Sequence, residues 1–168
     1  MLVKLFGSAV YGVDAITITV VLVTPCGPIV VFIVGLPDSA VKESTDRVIS
    51  AMQNSGYDRP RGRIVINMAP ADIKKAGAAY DLPIALGMLA ATGQMPQETL
   101  SEYVIMGELS LDGTIKPIKG ALPIAIKTRA EKFKGLIVPK ENAREAALVN
   151  NLDVYGVENI CEVIGFFR

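Results

Sequence analysis

The stretch Ala69–Leu86, read within Met68–Leu89 (MAPADIKKAGAAYDLPIALGML), decides what kind of fold and site this chain can form. A polar, glycine-containing loop runs through Asp81 into a segment, Leu82–Ala91, that carries no charge at all. An uncharged helix belongs in a core, so Leu82–Ala91 is predicted to be the most buried element. The start of a helix presents unpaired N–H groups and a partial positive charge, and it either binds an anion or is satisfied by its own cap. Asp81 reads as that cap, with Pro83 tolerated in the first turn. A carboxylate at this place repels phosphate and is a poor replacement for a serine nucleophile. The junction therefore argues against catalysis.

Working outward, Arg63–Met68 (RIVINM) alternates as a strand. Further upstream lie three strand signals, Val3–Ser8, Ala15–Thr24 and Pro28–Val34, with turns at Gly12–Asp14 and Pro25–Gly27. Ala15–Val34 reads as a hairpin. GLPDSA then opens a helix with Asp38 or Ser39 as its cap, and Val41, Val48, Ile49 and Met52 recur at helical spacing until Asn54-Ser55-Gly56 stops it. Downstream, Tyr103–Leu109 and Thr114–Ile118 flank Leu111-Asp112-Gly113, a type I′ hairpin signal. Helices are predicted at Ala121–Phe133, Glu141–Val149 and Glu158–Phe166, and short strands at Gly135–Val138 and Leu152–Gly156. Early antiparallel pairing followed by alternation implies an α/β fold with α+β character, a mixed β-sheet with helices on its faces. No repeat or linker divides residues 1–168, so a single domain is expected.

Composition narrows the partners. Seventeen basic residues balance seventeen acidic ones, so nothing global draws the chain to nucleic acid or an anionic membrane, and any such surface is a local patch. A hydrophobic content of 51% and a mean hydropathy of +0.40 fit a densely packed domain and disfavour disorder. The apolar run Ala15–Val34 is interrupted by Pro25, Gly27 and Pro28 and reads as strands, so no membrane partner is expected. Met1–Gly7 lacks the apolar core of a secretion signal, and the cytoplasm is the expected location. Cys26 and Cys161 read as buried small hydrophobes rather than a disulfide.

Much chemistry is excluded by what is missing. Without histidine there is no Ser-His-Asp or Cys-His catalysis, and the commonest zinc ligand is absent, so no metal site is expected. No Gly-Lys pair and no G-x-G-x-x-G occurs, which removes the Walker A loop and the dinucleotide fingerprint. Glu108 and Asp112 are better read as a strand residue and the start of its turn than as an acid–base pair. Basic residues do cluster: Arg59, Arg61, Arg63, Lys74 and Lys75 stand against Asp72 alone, and Lys116–Lys140 holds seven, Lys116 and Lys119 among them, against Glu131. Such patches meet DNA phosphates or an acidic partner, or they are solvated faces; no aromatic residue interleaves them as a stacking platform would require.

Four blocks in order, VGLPDSAVKESTDRV, RIVINMAPADIKKAGAAYDLPIALGMLAATG, GELSLDGTIKPIKGALPIA and LIVPKENAREAALV, resemble the N-terminal domain of the ComM/YifB-type, magnesium-chelatase-like (ChlI-like) AAA+ proteins. The resemblance runs from about Lys4 to Phe167. It implies the fold of the Lon proteolytic domain, shared with the C-terminal domain of the RadA recombination protein and the second domain of ribosomal protein S-five. The Lon nucleophile motif G-P-S-A-G-I then falls on Ala79–Ile84, with serine replaced by Asp81. The Lon motif P-I-G-G-L-K falls on Pro117–Leu122, with the activating lysine replaced by Leu122 and Lys119 three positions away. A carboxylate and a leucine cannot generate an alkoxide, so the resemblance implies a protease-like scaffold without protease chemistry. The same aspartate weakens a small-molecule-kinase reading.

In that family a AAA+ module follows and carries ATP and magnesium, hexamer formation and DNA branch migration during natural transformation. The present sequence stops at Arg168 before any such module, as an excised domain or a truncated product would. A binding or assembly role is therefore expected of it: contact with DNA through the basic patches, or with its own AAA+ module and neighbouring subunits. The alternatives are a divergent Ser-Lys hydrolase using Ser101 or Ser110, and a structural module that assembles a ring.

Overall fold

In the computed structural model, which describes residues 1–168, alternating apolar residues form strands β1 (Leu2–Tyr11) and β2 (Asp14–Val23). They pair antiparallel along their whole length, from Leu2 opposite Val23 to Tyr11 opposite Asp14, about a two-residue loop in which Gly12 takes φ +63°. The hairpin of this region is thus β1–β2. Strand β3 (Val30–Val34) does not fold back on β2 as the sequence suggested; it lies parallel to β4 (Arg63–Ala69), which separates the two. Pro25 and Pro28 offer no N–H to a ladder, and Thr24–Ile29 is no tight turn, so the chain crosses over instead. The crossover consists of α1 (Ser39–Lys42) and α2 (Ser44–Asn54). Asp38 caps α1 as expected, accepting from Val41 N at 2.8 Å, and its second oxygen accepts from Gly77 N at 3.1 Å.

The seven-stranded mixed sheet has the order β3-β4-β2-β1-β5-β8-β9, where β5 is Tyr103–Ile105, β8 Gly135–Pro139 and β9 Asp153–Val157, the last three parallel to β1. Helix α3 (Asp81–Ala91) covers one face, and every one of its residues is buried, as its lack of charge predicts. It sits close to the sheet because Gly87 leaves room for Leu5 and Leu22; a methyl group there would come within 3.0 Å of Leu5 Cδ1. On the opposite face α4 (Ala121–Ala130) packs against β1 and β2, with Gly120 over Val10 and the Phe6 and Phe133 rings edge-on at 5.1 Å. Helices α5 (Lys140–Ala146) and α6 (Ile160–Phe167) complete the parallel half.

The predicted strand Tyr103–Leu109 breaks after Ile105. Met106 N donates to Ile137 O while Gly107 N turns to Ala79 O, which carries the chain off the sheet. A separate two-stranded ribbon follows, β6 (Glu108–Leu109) with β7 (Ile115–Lys116), closed by a turn in which Asp112 accepts from Thr114 N at 2.9 Å. Forty-four buried hydrophobic residues make one contiguous core. Cys26 and Cys161, expected inside, are both exposed and unpaired. Cys26 lies in the β2–β3 connection, outside the core, and Cys161 is on the solvent side of α6, whose Ile160, Val163 and Ile164 take the buried side. No helix is long and apolar enough to cross a membrane, and the run Ala15–Val34 resolves into β2 and β3.

Candidate functional site

Asp81 is not a helix cap. Tyr80 occupies the cap position without a side-chain bond, and Asp81 is the first residue of α3, with its carboxylate fully buried. One oxygen accepts from Ser44 Oγ at 2.6 Å and Arg47 Nη2 at 3.0 Å, and the other from Arg47 Nε at 2.8 Å and Leu109 N at 3.1 Å. A carboxylate has about four acceptor directions, and all are taken. The hydrogen bonds to Asp81 raise the Arg47 guanidinium above its ordinary pKa, and Arg47 Nη2 also donates to Ala40 O at 2.8 Å. Asp81 thereby joins α2, α3 and β6, and it has no lone pair left to take a proton from a substrate.

Ser44 and Arg47 escape a reading of the local sequence because they lie 37 and 34 residues upstream. One signal was present: Ser44, Arg47, Val48, Ala51 and Met52 share a helical face that is otherwise buried, so a cation there needed a partner inside.

Leu122 lies in the first turn of α4, half-buried, and its backbone N–H donates to Glu145 Oε2 at 3.2 Å. The basic candidates separate into distinct places. Arg59, Arg61 and Arg63 line a hollow of about 450 Å³ together with Thr24, Asp58 and Thr92. Lys74 and Lys119 line another, of about 380 Å³, at the opposite end of the β1–β2 hairpin. Lys116 is exposed on β7 opposite Glu108. Lys75 is no surface cation: it is fully buried, its ammonium donates to Pro70 O, and desolvation lowers its pKa. Ser101 lies in the 3-10 turn Leu100–Glu102 and Ser110 in the β6–β7 turn, and neither lines either hollow. Ser8 does line the lysine hollow, but its hydroxyl donates to Ile16 O at 3.4 Å.

Against known proteins, residues 23–142 match the family described as Subunit ChlI of Mg-chelatase, well over half of the chain. The chain belongs to the Mg-chelatase ChlI family. This ChlI-family chain is 44% identical over 160 residues to the uncharacterized protein YifB of Escherichia coli, covering 95% of the chain and 31% of that protein. It is 36% identical over 163 residues to the competence protein ComM of Haemophilus influenzae, covering 97% and 32%. A more distant match, 27% over 128 residues, is to Lon protease 2 of Bacillus subtilis, covering 75% and 22%. The chain spans about a third of the length of the curated relatives ComM and YifB. Membership and fold class thus agree with the resemblance read from the four sequence blocks, and the Lon match accords with the mixed sheet.

Within this ChlI-family chain the arginine hollow is the stronger concentration of free cations. None of Arg59, Arg61 and Arg63 makes an ion pair, and Asp58 is the one acidic residue beside them. Arg63 stacks over the Phe32 ring at 5.1 Å, and its Nε is buried with no hydrogen-bond partner. A buried donor left unpaired costs roughly 1–3 kcal/mol, so this part of the hollow is held at some expense of stability. Gln94 braces the rim by exchanging two bonds with the Asp58 backbone, at 2.8 and 2.9 Å. No group of three or more His, Cys, Asp or Glu side chains gathers to hold a metal ion.

Proposed function

We propose that this chain is a non-catalytic binding unit of a ComM/YifB-like ATPase acting on DNA in the cytoplasm, and that Arg59, Arg61 and Arg63 hold nucleic-acid phosphates. The observation that carries the reading is the convergence of these three unpaired arginines on one hollow, with Arg63 Nε lacking an acceptor. Guanidinium groups suit phosphate because they donate in a planar fork. The inert half of the reading is supported by Asp81, which stands at the position that the motif resemblance aligns with the Lon nucleophile and has every acceptor direction engaged. ATP, magnesium and hexamer formation belong, on this reading, to the AAA+ module of the parent protein. The name competence protein, carried by the Haemophilus relative, accords with DNA as the partner.

Binding of the chain to single-stranded and forked DNA, measured at about 50 and 200 mM salt, tests the proposal. Three phosphate contacts are expected to lower affinity roughly 20- to 40-fold between the two conditions, and the exposed double variant Arg59→Ala, Arg61→Ala is expected to flatten that slope. Undetectable or salt-independent binding removes DNA and leaves ring assembly, which the exposed apolar residues of the edge strand, Phe32 and Val34, favour. Sedimentation of the chain as a stable hexamer would then be the expected result.

A further inference from the structure

The lysine hollow is built differently from the arginine one. Its walls are mostly apolar, with Val10, Met106, Ile118 and Ile124 among them, and two exposed cations, Lys74 and Lys119, stand at its rim. Neither lysine makes an ion pair. Tyr80 lines this hollow and is only 2% exposed, yet its hydroxyl has no partner within the protein and is not sealed from the hollow. The neighbouring Tyr11 hydroxyl, by contrast, is engaged with Lys74 O at 2.9 Å. The backbone N–H groups of Ala78, Ala79 and Tyr80, which lead into α3, also find no acceptor in the fold. The loop holding them is fixed: Gly77 N is tied to Asp38, and Ala79 O accepts from Gly107 N at 2.9 Å.

The first N–H groups of α3 itself are taken, Asp81 N by Ala78 O and Leu82 N by Gly107 O, so the open donors are those of the loop, and unpaired backbone N–H groups lining a hollow call for an acceptor from outside. Asp81 would ordinarily repel an anion, but its charge is matched by the Arg47 guanidinium at 2.8 Å. The one acid of the lining, Glu108, sits opposite Lys116 on the β6–β7 ribbon. Two lysines against one glutamate favour a single negative charge over a phosphate dianion. Apolar walls and a volume of about 380 Å³ favour a compact apolar body attached to it.

We propose that this hollow binds a monoanionic carboxylate with a small apolar body, such as the C-terminal residue of a peptide or a free apolar acid. The carboxylate accepts from the Tyr80 hydroxyl and the N–H groups before α3, Lys74 and Lys119 supply the countercharge, and the apolar body lies on Val10, Met106 and Ile118. Burial holds the Tyr80 phenol well above the usual tyrosine pKa, so it stays a donor throughout the neutral range.

Calorimetric titration of the chain tests this with N-acetyl-leucine, N-acetyl-leucinamide and a leucine-ended pentapeptide in free-acid and C-terminally amidated forms. Saturable binding of N-acetyl-leucine, with the amide about tenfold weaker or absent, is the expected result. Binding of the free-acid pentapeptide identifies a chain terminus as the source, and its failure alongside binding of N-acetyl-leucine identifies a free acid. Tyr80→Phe, which keeps the ring and removes only an unpartnered hydroxyl, is expected to weaken binding about tenfold, and the exposed Lys119→Ala severalfold. Equal binding of acid and amide, or no binding of either, overturns the proposal. The arginine variant Arg59→Ala, Arg61→Ala is expected to leave these titrations unchanged, so this reading and the DNA reading fail separately.

Discussion

Asp81→Ala is expected to lower unfolding stability by about 3–5 kcal/mol, because it strands the Arg47 guanidinium beside a cavity and removes the acceptors of Ser44 and Leu109. The size follows from burial: the carboxylate is wholly inaccessible and Arg47 is only 21% exposed, so water and the Glu43 carboxylate at 3.7 Å replace only part of what is lost. Urea unfolding followed by circular dichroism measures it. Removing both partners, Asp81→Ala with Arg47→Met, is expected to cost clearly less than the sum of the single changes, since neither charge is then left alone. Asp81→Ser places a hydroxyl at the position that the motif resemblance aligns with the Lon nucleophile, and it is expected to lose stability like the alanine variant without gaining peptide cleavage. A loss below about 1 kcal/mol for Asp81→Ala would mean that the four bonds contribute little net energy.

The second large effect is at Gly35, where β3 gives way to the loop before α1. Its φ of +109° is a conformation that side chains rarely adopt, and a Cβ there would press into Met68 O and stand 2.9 Å from Met68 C. Backbone cannot rotate aside as a side chain does, so strain and collision add. Gly35→Ala is expected to cost about 3 kcal/mol or more. Gly12→Ala is the matched control: Gly12 also has positive φ, at +63°, but nothing lies within 4 Å of its Cβ position, and a loss of only about 1 kcal/mol is expected. Equal losses in the two variants would show that conformation alone, and not the approach to Met68, requires glycine at position 35.

Features that depend on neighbours along the chain were readable from it. The burial of α3 follows from its lack of charge, the cap at Asp38 from a short polar residue before an apolar helical face, and the place of the β6–β7 turn from Asp112-Gly113. The type of that turn does not follow: Ser110 and Thr114 close a three-residue loop in which only Gly113 takes positive φ, so it is not a type I′ turn. Features set by distant partners were not. Asp81 looks like a cap to its own helix and becomes a buried anchor only because α2 brings Arg47 to it. Lys75 belongs to a basic run yet turns inward to Pro70 O. For the β2–β3 hairpin, Pro25 and Pro28 are local signs against a tight turn, but that β4 comes between the two strands is set by a partner about thirty residues on. For the candidate sites, the arginines stand as a cluster in the sequence itself, whereas only the fold shows the Tyr80 hydroxyl to be unpartnered.

The anchor at Asp81 also bears on how this side of the molecule moves. A single buried group clamps two helices and a ribbon at once, so none of the three can swing out alone without exposing an uncompensated charge. Breathing there is all-or-nothing, and the amide protons of Val48, Met52 and Leu86 are expected to exchange with deuterium at one shared rate set by cooperative opening.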